Sequence, residues 1–130
     1  MAVGLFALVI AVSALASLRL SAQTPDTSPG EDFFYASVVP AFVNDGCVDC
    51  HATGHVRPMI IFYEEALPYL AMGDSPENSM MLVKLADLRD DDPERATHVG
   101  GQRCASLAVE PCKTIVEWWQ IEFGGSSTHD

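Results

Sequence analysis

Apolar residues recur at helical spacing in four stretches of this chain of 130 residues, and no stretch shows the alternation of a half-buried strand. The first stretch, Asp32 to Asn44 (DFFYASVVPAFVN), sets Phe33, Phe34, Val38, Ala41 and Phe42 on roughly one stripe. Pro40 lies inside it, where a missing N–H and a ring clash predict a kink or a late start. The second, Ile60 to Met72, is limited in length by Pro68. The third, Glu77 to Leu88, follows the turn Gly73-Asp74-Ser75-Pro76, in which Asp74 or Ser75 can cap and Pro76 suits the first helical position. The fourth, Pro111 to Phe123, is stopped by Gly124. It places Ile115, Trp118 or Trp119, and Glu122 at helical spacing, with one tryptophan expected in the core and the other half exposed. Without an internal repeat, and with length for one domain, the pattern predicts a small all-α bundle.

The flanks read differently. Residues 1–22 open with an almost wholly apolar run, MAVGLFALVIAVSALASL, and are expected to be a signal peptide. Cleavage would fall at Ala14-Leu15-Ala16 or after Ala22. No Lys or Arg precedes the run, and its length approaches the roughly 20 residues of a membrane span, so an uncleaved N-terminal anchor is the alternative. Either way the remainder is expected outside the cytoplasm, in the periplasm. Residues 23–32, rich in Pro, Gly and small polar side chains, read as a linker, 33–123 as the domain, and 124–130, with His129, as a frayed tail. Asp90-Asp91-Asp92 lacks the ligand periodicity of a calcium loop and reads as part of a solvated turn.

Charge narrows the partners. With 18 acidic against 7 basic residues the net charge is -11, which excludes the basic face that nucleic acid needs and favours proteins with a positive docking patch. Removing the leader takes Arg19 with it and leaves 6 basic against 18 acidic residues, a charge of -12.

Chemistry is concentrated in Cys47-Val48-Asp49-Cys50-His51. Two cysteines separated by two residues and followed at once by histidine form the attachment signature of c-type haem. The thiols add across the two vinyl groups to give thioethers. A turn of helix matches the vinyl spacing, and the histidine binds iron from the proximal side. Pro58 stands where its carbonyl could accept the proximal imidazole N–H, although a plain loop proline reads as well. A zinc site would join Cys47 and Cys50 to Cys104, Cys112, His55 or His98, but Cys104 and Cys112 are eight apart rather than tightly spaced. A thioredoxin-like pair belongs beside a βαβ pattern that this chain lacks. With two cysteines used by haem, Cys104 and Cys112 are expected to form a disulfide in an oxidising compartment.

The second iron ligand decides the chemistry, because methionine raises the potential, histidine lowers it, and an open site admits ligands. Apart from Met1 the methionines are Met59, Met72, Met80 and Met81, and none follows Leu82. His98 does, beside Gly100 and Gly101, which let backbone come close to a macrocycle. His98 is therefore the expected distal ligand, with Met59 and Met80 next.

The layout resembles the class I cytochromes c: a first helix, CxxCH, two middle helices, a distal loop and an aromatic terminal helix. More narrowly, Glu77-Asn78-Ser79-Met80-Met81-Leu82-Val83-Lys84 followed by His98-Val99-Gly100-Gly101 is similar to small monohaem cytochrome c domains of marine and environmental bacteria. Those carry a Ser-x-Leu-Leu-x-Lys-like helix and then a His-x-Gly-Gly loop. The resemblance covers about Phe33 to Phe123. It departs in the missing distal methionine, the acidic insert at Asp90 to Asp92 and the Cys104/Cys112 pair. It implies a cytochrome c-like bundle around one covalent haem c, carrying single electrons between redox partner proteins. Membrane association is expected only if residues 1–22 stay attached. No general base or nucleophile constellation stands out, so an enzyme is not expected. The alternatives are a haem sensor or peroxidase-like protein with a displaceable His98, and a zinc-stabilised interaction domain.

Overall fold

The computed structural model describes residues 27–88 and 98–124 as helices joined by turns, with no strand among them. The described part is thus all-α, as the hydrophobic pattern predicts. The leader expected at 1–22, the acidic run at 90–92 and the tail expected after Gly124 lie outside the described residues. Among the described residues no helix is long and apolar enough to cross a membrane.

Helix α1 (Pro29–Phe33) passes through a π-helical turn (Phe34–Val38) into α2 (Val39–Asn44). It starts earlier than the apolar stripe does, because Ser28 caps it. The Ser28 Oγ accepts the Glu31 N–H at 3.1 Å and Pro29 takes the first helical position. Ser28 and Glu31 have the spacing of a capping box, a signal hidden in residues whose composition reads as linker. The disturbance expected from Pro40 is the π turn. Proline gives no N–H to the preceding turn, and the widened backbone puts the Val39 N–H on Phe34 O, five residues back. Phe34, Val38 and Phe42 still share one buried face.

After the short α3 (Val48–His51) comes α4 (Tyr63–Leu70), which is trimmed at both ends relative to the stretch Ile60 to Met72. Phe62 is extended, and its N–H closes a turn on Met59 O at 3.1 Å, so Ile60 serves a loop rather than a helix. The third predicted helix is split at Ser79 into a 3-10 turn (Pro76–Asn78) and α5 (Met80–Ala86). Ser79 is fully buried, and its Oγ donates to Leu70 O at 2.9 Å, joining the end of α4 to the start of α5. That bond satisfies a hydroxyl that would be costly to bury alone.

Helix α6 (Cys112–Phe123) packs on both α1 and α5. The Trp118 ring lies 4.8 Å from Phe34, and its Nε1 donates to Glu122 Oε1 at 2.9 Å, while Tyr63 Oη donates to the same oxygen at 2.7 Å. Both tryptophans are buried, Trp118 completely and Trp119 to 9% exposure, which corrects the expectation that one is half exposed. Trp119 packs edge-on against Phe123 at 5.5 Å, so the outward half of the helix also has an aromatic layer. Gly30 is buried where α1 meets α6, and a Cβ there would overlap the Glu122 carboxylate. Gly30→Ala should therefore displace Glu122 and strip the buried Trp118 N–H of its acceptor. The expected loss is about 1–3 kcal/mol, read by thermal or denaturant unfolding.

Cys104 and Cys112 are joined, with Cα atoms 6.0 Å apart and both side chains buried. The bond ties the segment after His98 to the first turn of α6. Replacing both cysteines with serine should lower stability by about 2–3 kcal/mol, the entropy of so short a loop. Free-thiol titration of the protein checks the bond, and denaturant unfolding checks the magnitude.

Candidate functional site

The turn that ends α2 presents the cysteine motif. Asp45 N–H bonds to Ala41 O at 3.1 Å, Cys47 N–H bonds to Phe42 O at 2.9 Å, and Gly46 turns the chain with φ +72. Cys47 then caps α3, and His51 N–H bonds back to Cys47 O at 3.1 Å. Cys47 and Cys50 are thus one helical turn apart, where i and i+3 side chains are neighbours. Cys47 is half-buried and Cys50 exposed. Burial pushes the Cys47 thiol up to about 11, helped by the Asp45 carboxylate and opposed by Arg103. A thiol held protonated at neutral pH is unlike the lowered, nucleophilic cysteine of a thioredoxin-like pair.

The His51 imidazole is aimed by its neighbours. Its Nδ1 lies 2.8 Å from Pro58 O. A carbonyl can only accept, so Nδ1 carries the proton and Nε2 keeps the lone pair that a metal needs. The loop bearing Pro58 is braced in turn. One Arg57 guanidinium nitrogen donates to both Glu65 carboxylate oxygens, at 2.6 and 2.7 Å, and Met59 N–H donates to Glu65 Oε2 at 2.9 Å. These contacts, the Arg57 guanidinium first, hold the Glu65 carboxyl below its ordinary value of 4.5. A carboxylate lowered by folding contributes its stabilisation above its unfolded pKa and loses it as pH falls through the folded one. The Pro58 loop should therefore loosen in acid, below pH 4.5, and Glu65→Gln should remove that step from an acid titration followed by NMR.

His98 approaches the same space from the other side. The His98 and His51 rings are within 7° of parallel, with centroids 6.0 Å apart. His98 closes its own turn: Gly101 N–H bonds to His98 O at 2.8 Å, and His98 Nδ1 lies 3.0 Å from Gly101 O. The same reasoning puts the proton on Nδ1 and leaves Nε2 free. The two glycines are explained by the histidine itself. A Cβ on Gly100 would stand 2.8 Å from His98 Cε1, and Gly101 has φ +76, a left-handed conformation that favours glycine.

Cys47, Cys50, His51 and His98 all line one cavity of ≈ 390 Å³, between the cysteine-bearing turn and α5. Its walls include Phe42, Ile60, Tyr69, Met81 and Leu85, giving the largely apolar concavity typical of cofactor sites of ~300–1,000 Å³. Arg57, Lys84 and Arg103 also line it, and no Asp or Glu among the described residues does, in a chain with 18 acidic and 7 basic side chains. A group with an apolar body and anionic edges suits such walls. An imidazole–metal–imidazole axis needs about 6 Å between ring centroids, given metal–nitrogen bonds of ~2 Å. Haem, an apolar group with two propionates, fits these residues: Cys47 and Cys50 would hold it, and His51 and His98 would supply nitrogen ligands to its iron.

The remaining sequence candidates fall elsewhere. Cys104 and Cys112 bond to each other, which removes two thiolates from the zinc alternative. His55 is exposed and does not line the cavity. Of the methionines Met81 lines it, whereas Met59 and Met80, the fallback ligands, do not. Sequence reasoning missed Glu65 and the Asp45–Arg103 ion pair, whose partners are too far apart in the chain for any spacing rule. Compared with protein-family models, with curated proteins and with solved structures, the chain matches none.

Proposed function

We propose that this chain is an exported monohaem c-type cytochrome, a one-electron carrier similar to the small class I-like domains whose motifs it shares. Cys47 and Cys50 would hold the haem by thioethers, and His51 and His98 would ligate its iron. The observation that carries this reading is the juxtaposition of the two imidazoles. They are parallel and 6.0 Å apart, and each has its Nδ1 anchored on a backbone carbonyl. Bound there, haem supplies a reversible Fe(III)/Fe(II) couple, lowered in potential by two nitrogen ligands relative to a histidine–methionine pair.

The protein's own contribution is positional. Pro58 O and Gly101 O fix the two imidazole tautomers, and the Glu65–Arg57 brace keeps the Pro58 loop in place. Phe42, Ile60 and Leu85 give the cavity apolar walls, which would limit reorganisation when one electron is exchanged. The net charge of -11 points to partners with basic docking patches. The apolar leader at residues 1–22 supports export to the periplasm, where covalent haem attachment takes place.

One feature favours a second reading, a sensor or peroxidase-like protein. Val99, Gly100 and Gly101 are exposed, so the turn carrying His98 is little packed and the ligand is displaceable. Absorption spectra of protein matured in the periplasm separate the readings. A six-coordinate low-spin spectrum supports the carrier, a high-spin one the sensor, and the absence of haem bands overturns both.

A further inference from the structure

The two imidazoles belong to different parts of the fold. His51 is rigidly tied to Asp45, because the turn from α2 into α3 is closed by the Asp45, Cys47 and His51 backbone bonds. His98 sits on a self-closed turn whose next three residues are exposed. Among the described residues, the backbone that follows the turn is anchored further along. There Gln102 Nε2 donates to Ala86 O at 3.1 Å, and Arg103 N–H donates to Leu85 O at 2.8 Å. These bonds attach the distal segment to the end of α5 and do not reach across to the cysteine-bearing turn.

Arg103 does reach across. Its Nε donates to Asp45 Oδ2 at 2.8 Å, and a second guanidinium N–H donates to the Asp45 carbonyl oxygen. Two donors of a rigid fork thus engage two acceptors of one residue, which fixes angle as well as distance. Both side chains are 30% exposed, so the pair is partly shielded from water and salt. Arg103 lines the cavity and Asp45 stands beside Cys47, with Cys47 Sγ 3.6 Å from Asp45 Oδ2.

We propose that the Asp45–Arg103 ion pair is a latch that holds the His98 turn against the His51 side and so sets the coordination at the centre of the cavity. The inference rests on the haem reading and makes Asp45 and Arg103 positioning residues rather than ligands. With the latch closed, the imidazoles keep their 6.0 Å separation. With it open, the exposed turn swings outward and the distal position becomes available to a small ligand.

The test uses the matured, haem-bearing protein as wild type, Arg103→Ala, Arg103→Lys, Asp45→Asn and Gly30→Ala. The last variant loosens the α1–α6 crossing without touching the latch, and controls for general destabilisation. The readouts are the high-spin fraction of the ferric form and the rate at which carbon monoxide binds the ferrous form. Arg103→Ala and Asp45→Asn should raise the carbon monoxide rate by about tenfold or more, as expected for the loss of a charge-assisted contact. Both should also show high-spin bands. Arg103→Lys, which keeps one contact, should recover most of the low-spin fraction, and Gly30→Ala should match wild type. If Arg103→Ala fails to mature, Asp45→Asn carries the test, since it keeps the side chain's size while removing the charge and one acceptor oxygen. Wild-type spectra and rates in both latch variants overturn the proposal, as does an equal rise in Gly30→Ala. A wild type that is high-spin or lacks haem overturns the underlying reading instead.

Discussion

Replacing Cys47 and Cys50 together with alanine should take the haem that survives acid–acetone extraction from all of it to none. The argument is covalent. Thioether bonds persist when the fold is destroyed, whereas coordination by imidazole is lost once the chain unfolds or the histidines are protonated. The two sulfurs sit on one short helix, with Cys47 at its cap and Cys50 one turn on, directly before His51. A single substitution should leave one thioether and retain the haem on the chain, with a shifted spectrum. The double substitution leaves only His51, His98 and the cavity walls. Quantitative release of haem from the wild-type chain would sink the attachment and with it the c-type assignment. No noncovalent contact in the cavity can imitate the expected result, because denaturation erases all of them.

His98→Ala should produce the second large change. The wild type should be low-spin, without the near-infrared charge-transfer band that marks sulfur ligation, and with a potential below that of histidine–methionine relatives. Truncation removes the imidazole whose centroid lies 6.0 Å from that of His51, and nothing else on the exposed turn replaces it. The ferric iron should turn at least partly high-spin, and the ferrous form should take up carbon monoxide readily. His98→Met should instead raise the potential if the side chain reaches the iron. An unchanged spectrum in His98→Ala would move the ligand elsewhere. Met81 is then the next candidate, since it lines the cavity while Met59 and Met80 do not. A wild type that is already five-coordinate would turn the carrier reading into the sensor one.

The helical class was legible in sequence because Phe34, Val38 and Phe42, and again Ile115 and Trp118, repeat with the helical period. Boundaries were less legible. Ser28 caps α1 inside a polar stretch by accepting the Glu31 N–H, and Ser79 breaks a continuous apolar run because its hydroxyl finds the Leu70 carbonyl at the end of another helix. The burial of both tryptophans was hidden as well. Adjacent residues on one helix point about 100° apart, and periodicity does not reveal that Phe123 shields the second face.

The Cys47-Val48-Asp49-Cys50-His51 spacing is local, so the sequence alone predicts that these side chains lie together: one helical turn suffices to place them. The Cys104–Cys112 bond was nearly as accessible, through cysteine arithmetic and a short loop. His98 was nominated by elimination, but only the tertiary structure decided that its ring lies parallel to His51 across a cavity. The supporting contacts were decided there too. Pro58 O on His51, Glu65 on the Pro58 loop, and Asp45 on Arg103 join residues 7, 8 and 58 positions apart in the chain. Their chemistry is written in single side chains that are common everywhere. Their function comes from distance, which a folded chain sets by packing and a sequence records only where neighbours in space are also neighbours along the backbone.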